Sequence, residues 1–218
     1  MSSRIYEDRA DAGRCLAPAV GRCRLHKPII LGLPRGGIPV AYEVAKALGA
    51  DLDLLVVRKL GVPYQPELAL GAIASGGIRV LNEELLAQLP GVDNAVIEQI
   101  VHREMRELER REQSFRGDRP YPELRDRDVV LVDDGMATGA TMRAAAQAVR
   151  QRQPRKVLAA VPTASEDAVS KVSRLVDQVI CLDTPTSFFA VGNHYRHFRQ
   201  TTDGEVRSLL QDGWGSAE

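Results

Sequence analysis

The chain has little cysteine, no net charge and no long apolar run. Three cysteines in 218 residues, an odd count with no CxxC pair, exclude a disulfide framework and leave reduced thiols. Cys15 and Cys23 are spaced by two helical turns and are expected on one helix face. Lys plus Arg equals Asp plus Glu at 29 each, so no global field draws the chain to nucleic acid or an anionic membrane, although a local basic site stays open. No apolar stretch approaches the ~20 residues of a spanning helix, and the opening MSSRIYEDRADAG lacks an apolar h-region. The expectation is a cytoplasmic protein with neither membrane nor nucleic-acid partner. Internal repeats, low complexity and a linker-like composition shift are also missing. At 44% hydrophobic the chain can bury a real core, and it reads as one domain over residues 1–218.

What is present is an alternation of aliphatic strands and helices. PIILGLP (28–34) is a strand leading into the loop PRGG, and the helix after it carries Pro39 near its first turn, Val40, Val44 and Leu48 on one face, and Gly49 as its stop. LDLLVVRKL (52–60) reads as a second buried strand ending on two cations. GVPYQPELAL (61–70) reads as a loop, and GAIASGGIRVL (71–81) as a hairpin with glycines at the bend. Residues 93–115 give the longest helical pattern, with Val96, Ile100 and Val101 inward and Arg103 to Glu107 or Glu107 to Arg111 paired outside. Strand 128–133, helix 140–151, strand 156–162, helix 165–175 and strand 178–182 follow. Repeated βα units with aliphatic strands predict an α/β fold, a Rossmann-like parallel sheet flanked by helices. Ligands of such sheets bind at the carboxyl ends of the strands.

The strand ends therefore carry the candidate chemistry. Arg35, Gly36 and Gly37 follow the first strand, Arg58 and Lys59 the second, and VVLVDDGMATGATM (129–142) the fourth. In that last stretch two neighbouring carboxylates, Asp133 and Asp134, stand where a buried strand stops, which is costly unless something compensates. Gly135 and Gly139 allow positive φ. Ala137 and Ala140 let a ligand approach the main chain, Thr138 and Thr141 supply hydroxyls, and the next helix points free N–H groups at the loop. A phosphate monoester fits there, and the acceptor-only carboxylates suit vicinal hydroxyls. A ribose 5-phosphate satisfies both. The alternative is a helix cap and a tight turn.

This stretch resembles the 5-phosphoribosyl 1-pyrophosphate (PRPP) signature of the type I phosphoribosyltransferases. LGLPRGGIPVA, VVRKLGVPYQPELALGAIA and FRQTTDGEV extend the resemblance, to a bacterial group of predicted members, over nearly the whole chain. It implies that fold with a core of about 26–183 and a small hood from the N-terminal segment and 184–218. It also implies Mg²⁺-dependent transfer from PRPP to a base. In this family the acids matching Asp133 and Asp134 hold the ribose hydroxyls, and the loop around Gly135, Met136, Ala137, Thr138, Gly139, Ala140 and Thr141 holds the 5′-phosphate. Arg35 with the backbone of Gly36 and Gly37 meets pyrophosphate, often beside a non-proline cis peptide, expected here at Pro34–Arg35. Mg²⁺ arrives with PRPP, without a direct protein ligand, through water to Asp133 at most. Arg35, Lys59 and Asp134 are the catalytic candidates. Arg58 and Lys59 face an equal alternative as strand-end or subunit-contact cations, and segment 60–70 is a candidate lid.

DQVICLDTPTSFFAVGNHY (177–195) resembles the end of the hypoxanthine-guanine enzymes, which places Phe189 against the acceptor base with Phe188, Val191 and Tyr195 as neighbours. The purine-reading lysine is replaced by the neighbourhood Val161, Pro162 and Thr163, and His194 and Tyr195 stand where an aspartate is expected. The acceptor is thus a purine or another aromatic base, and core anchoring is the competing role of the phenylalanines. His194 and His197 read as hood histidines rather than metal ligands. A homodimer is expected. The competing function is a regulator that senses PRPP or a nucleotide with the same pocket. Neutral charge and the lack of a helix-turn-helix favour the enzyme.

Overall fold

Helix α1 (Arg9–Gly21) opens the chain, capped by Asp8, whose carboxylate accepts from the Asp11 N–H. A computed structural model describes residues 4–62, 65–81 and 94–215. Strand β1 (Ile29–Gly32) is buried throughout, and α2 (Gly37–Leu48) stops at Gly49, whose φ of 58° is left-handed. Next come β2 (Asp51–Leu54), β3 (Val57–Val62), β4 (Gln65–Ala74), β5 (Ile78–Leu81) and the long α3 (Asn94–Arg116). The remainder runs β6 (Asp128–Val132), α4 (Ala140–Arg150), β7 (Lys156–Thr163), α5 (Glu166–Ser173), β8 (Gln178–Asp183), a 3-10 turn at Val191–His194 and α6 (Asp203–Gly215).

Five strands form a parallel sheet in the order β2-β1-β6-β7-β8. Alternate residues of one strand feed two cores, as the pleat requires: Ile30 and Val130 pack beneath α1, α2, α3 and α6, while Ile29, Leu31, Val129 and Leu131 pack against α4 and α5. Helices thus cover both faces, which is why the central strands are aliphatic end to end. The expected Rossmann-like architecture is present. No helix among the described residues is long and apolar enough to cross a membrane.

The sequence reading needs four corrections. LDLLVVRKL is two strands in two sheets. The Leu55 N–H still donates to Gly32 O of the parallel sheet, but at Val56 the chain passes to Ser75, exchanging Val56 N–H to Ser75 Oγ and Ser75 N–H to Val56 O. Arg58 and Lys59 consequently lie in a separate antiparallel sheet, β3-β4-β5. Second, segment 61–70 is mostly strand: β3 runs to Val62 and β4 begins at Gln65, with register shifts around Gly61, and residues 63–64 lie outside the described ones. The hairpin at 71–81 stands, with Gly76 and Gly77 at φ 76° and 73°. Third, α1 ends at Gly21, so Cys23 falls beyond the helix that holds Cys15; Cys15, Cys23 and Cys181 are all free. Fourth, the α3 pairs form at shorter spacing, Arg110 to Glu107 at 2.7 Å and Arg103 to Glu104 at 3.0 Å. Helix α6 was not anticipated. It docks on β2, with Trp214 Nε1 donating to Leu52 O at 2.9 Å.

Candidate active site

At the carboxyl edge of β6 the chain leaves the core directly into Asp133 and Asp134. The Asp134 N–H donates to Asp133 Oδ1 at 2.9 Å, and the Tyr195 hydroxyl donates to the Asp134 carbonyl at 2.6 Å. Burial raises the pKa of Asp133 well above the ordinary carboxylate range, and the Asp134 charge raises it further. Burial also raises Asp134, opposed by Arg9, whose Nε donates to Asp134 Oδ2 at 2.8 Å. Among the described residues Arg9 is the cation paired with these two acids. The site is suited to a ligand that brings hydroxyl donors.

The PRGG loop lies on this pair. The peptide Pro34–Arg35 is cis, as expected. A Cβ on Gly36 would overlap the Asp134 carboxylate, and one on Gly37 would sit 2.6 Å from Val132 O, so both positions require glycine for this close approach. The loop is pinned by Leu33 N–H to Val132 O and Gly37 N–H to Leu33 O, both 2.9 Å. Arg35 points a guanidinium nitrogen to within 3.5 Å of Asp203 on α6.

On the other side, Gly139 caps α4 with φ 69° and no side-chain cap. The Ala140 N–H has Thr138 Oγ1 as acceptor at 3.3 Å, and the first-turn N–H groups of a helix have no intrahelical partners. Ala137, Thr138 and Thr141 are exposed, with Ala140 half-buried. Met136 plays another part: its side chain is buried, its N–H donates to Thr163 O and its carbonyl accepts from Ser165 N–H. These contacts anchor the base of the loop. Gly135 is packed under Val191, whose Cγ1 would lie 2.7 Å from a Cβ there.

The remaining candidates are more scattered. Arg58 pairs with Glu104 of α3 through Nε and Nη2 at 2.8 and 2.6 Å, whereas Lys59 lies next to it on β3. Phe189 is 84% exposed. Phe188 stacks on buried His194, with ring centres 5.2 Å apart. Tyr195 is buried between Tyr6 and Phe198. The N-terminal segment pairs with this region through Tyr6 N–H to His194 O and Arg196 N–H to Tyr6 O, both 2.8 Å, and His197 meets Glu7 at 3.2 Å. Sequence reasoning missed Arg9 and Tyr6, which reach this region from the N-terminal segment and carry no local signal, and it gave Asp203, within FRQTTDGEV, no role at the site.

Among the described residues no three His, Cys, Asp or Glu side chains converge. The acid pair offers two carboxylates, which fits an ion such as Mg²⁺ that arrives on phosphate oxygens and keeps several waters.

Two Mycobacterium tuberculosis strains encode proteins provisionally named phosphoribosyl transferases that are 48% identical over 207 residues. The match covers 95% of this chain and 46% of theirs, so the chain spans about half the length of those relatives. A crystal structure of a Thermus thermophilus protein superposes with a TM-score of 0.88 at 43% identity, covering 95% of this chain and 98% of that one. An Aquifex aeolicus protein shares the fold at 12% identity and TM-score 0.51, covering 93% and 84%. The family model described as phosphoribosyl transferase domain matches residues 6–196, and the chain belongs to that family.

Proposed function

We propose that the protein transfers the 5-phosphoribosyl group of PRPP to a nitrogenous base and releases pyrophosphate. The observation that carries this reading is the meeting, at one sheet edge, of an acid pair, an uncapped helix start and a glycine loop laid on the acids. Asp133 and Asp134 accept the ribose hydroxyls. The loop from Gly135 to Thr141 binds the 5′-phosphate, with Met136 fixing its base and the α4 amides facing the anion. Arg35 and the amides of Gly36 and Gly37 receive the pyrophosphate, with Lys59, and Arg58 if it leaves Glu104, as further cations.

Cleavage at C1 passes through an oxocarbenium-like state. Asp134 supplies negative charge beside the positive ribose, and Arg35 meets the growing charge on the leaving group. Mg²⁺ bound to pyrophosphate would neutralise part of that charge, with Asp133 holding it through water. Phe189, an open aromatic face beside Phe188, Val191 and Tyr195, takes an aromatic acceptor such as a purine. In this reading residues 1–218 act as one domain whose chain ends form the hood, segment 60–70 closes over PRPP, and the protein works as a cytoplasmic homodimer.

A panel of purine, pyrimidine and other aromatic bases, incubated with PRPP and Mg²⁺ and read by pyrophosphate release, tests the reading. Release with at least one base is expected. Tight PRPP or nucleotide binding without release from any base would replace the enzyme with a sensor.

A further inference from the structure

Arg9 belongs to no motif, yet it joins the acid pair, the PRGG loop and the C-terminal segment. It stands at the start of α1, 125 positions before Asp134, and donates from Nε to Asp134 Oδ2 at 2.8 Å. Its Nη1 donates to Arg199 O at 2.7 Å, and its guanidinium lies 4.0 Å from the centre of the Phe198 ring. Side-chain exposure is 11% for Arg9 and 14% for Asp134, so water screens the pair little. A Cβ on Gly36 would lie 3.2 Å from Arg9 Nε, which puts the same cation against the PRGG loop.

A planar guanidinium held by a carbonyl and an aromatic face has one orientation to offer a carboxylate. The geometry points to Arg9 as a positioning residue: it holds the Asp134 carboxylate turned to accept a ribose hydroxyl. Only one oxygen of Asp134 is engaged by Arg9, and the other lies outside that bond. The inference rests on the PRPP reading of the site.

The test is calorimetric titration of Mg²⁺·PRPP, and separately of Mg²⁺·pyrophosphate, into wild type, Arg9→Gln, Arg9→Lys, Asp134→Asn and Arg9→Gln with Asp134→Asn, with melting temperatures measured alongside. Arg9→Gln is expected to weaken PRPP by about tenfold or more, Arg9→Lys to recover part of that loss, and pyrophosphate affinity to stay unchanged. The two single losses should fail to add in the double variant, because Arg9 acts through Asp134. Additive losses, or equal losses for PRPP and pyrophosphate, would mean that Arg9 only braces the fold. Should Arg9→Gln melt early, Arg9→Lys at wild-type melting temperature decides by the same comparison of ligands. Wild type that binds no PRPP overturns the proposed function and this inference with it, whereas wild-type binding untouched in the Arg9 variants overturns the inference alone.

Discussion

Asp133 stands where an ionised carboxylate is disfavoured, enclosed by the strand end and next to a second acid, with its pKa raised by burial first and by Asp134 second. The sign follows directly. A carboxyl whose folded-state pKa is raised stabilises the fold below that pKa and destabilises it once ionised. We predict that Asp133→Asn raises the melting temperature at neutral pH by a few degrees, and that the gain disappears as pH falls and the wild-type acid takes up its proton. Scanning calorimetry from pH 8 to pH 4 checks this; an unchanged or lowered melting temperature at neutral pH would mean Asp133 is compensated within the protein. In the proposed reaction Arg35 is the counterpart for the leaving group. Arg35→Ala should lower turnover by roughly 10² with at least one base, the scale of a lost transition-state donor, measured as steady-state pyrophosphate release.

Elements decide what could be read from the residues. The acid pair, both glycine loops and the helix starts were legible because each is a local requirement: a strand that stops, a backbone that must approach closely, a first turn whose amides have no intrahelical partner. LDLLVVRKL misled because the aliphatic run Leu54 to Val57 crosses the break without a signal, and it does not reveal that Leu55 bonds to one sheet and Val56 to the next. GVPYQPELAL misled because its prolines and glycine read as breakers, whereas β3 runs through Gly61 with a register shift and β4 includes Pro66. Arg9 was illegible because its partner is supplied by folding rather than by neighbours in sequence. Gly139 tests the loop at this scale. Its φ is 69°, and a Cβ would lie 3.1 Å from Val172 Cγ2 and 3.3 Å from Ala168 O, so Gly139→Ala should destabilise by on the order of 1–2 kcal/mol. Urea unfolding gives the number, and PRPP affinity should fall with it. At the other wall, Phe189→Leu should raise the acceptor KM without moving PRPP affinity or melting temperature, since a ring that is 84% exposed contributes little packing. Lost stability with an unchanged acceptor KM would make Phe189 structural.

The molecule as a whole is tied together away from the site. Arg116, at the end of α3, donates to Asp53 Oδ2 at 2.8 Å and to Leu54 O at 3.2 Å, both ion-pair side chains being 4% exposed. Removing one partner of a buried pair leaves an uncompensated charge, so Arg116→Leu is predicted to cost about 3–5 kcal/mol, much of it recovered in the Arg116→Leu, Asp53→Leu double variant. Denaturant midpoints would show this, and a single variant as stable as wild type would contradict it. Such ties leave the carboxyl edge of the sheet free to carry charge that does not serve stability, and the acid pair is the point at which that charge should be answered by ligand. The most direct measurement is calorimetric titration of PRPP with Mg²⁺ into wild type, Asp133→Asn and Asp134→Asn. Each lost charge-assisted hydrogen bond is worth ~1.5–3 kcal/mol, so each variant should bind PRPP about ten- to a hundred-fold more weakly. PRPP affinity equal to wild type in both variants would contradict the account.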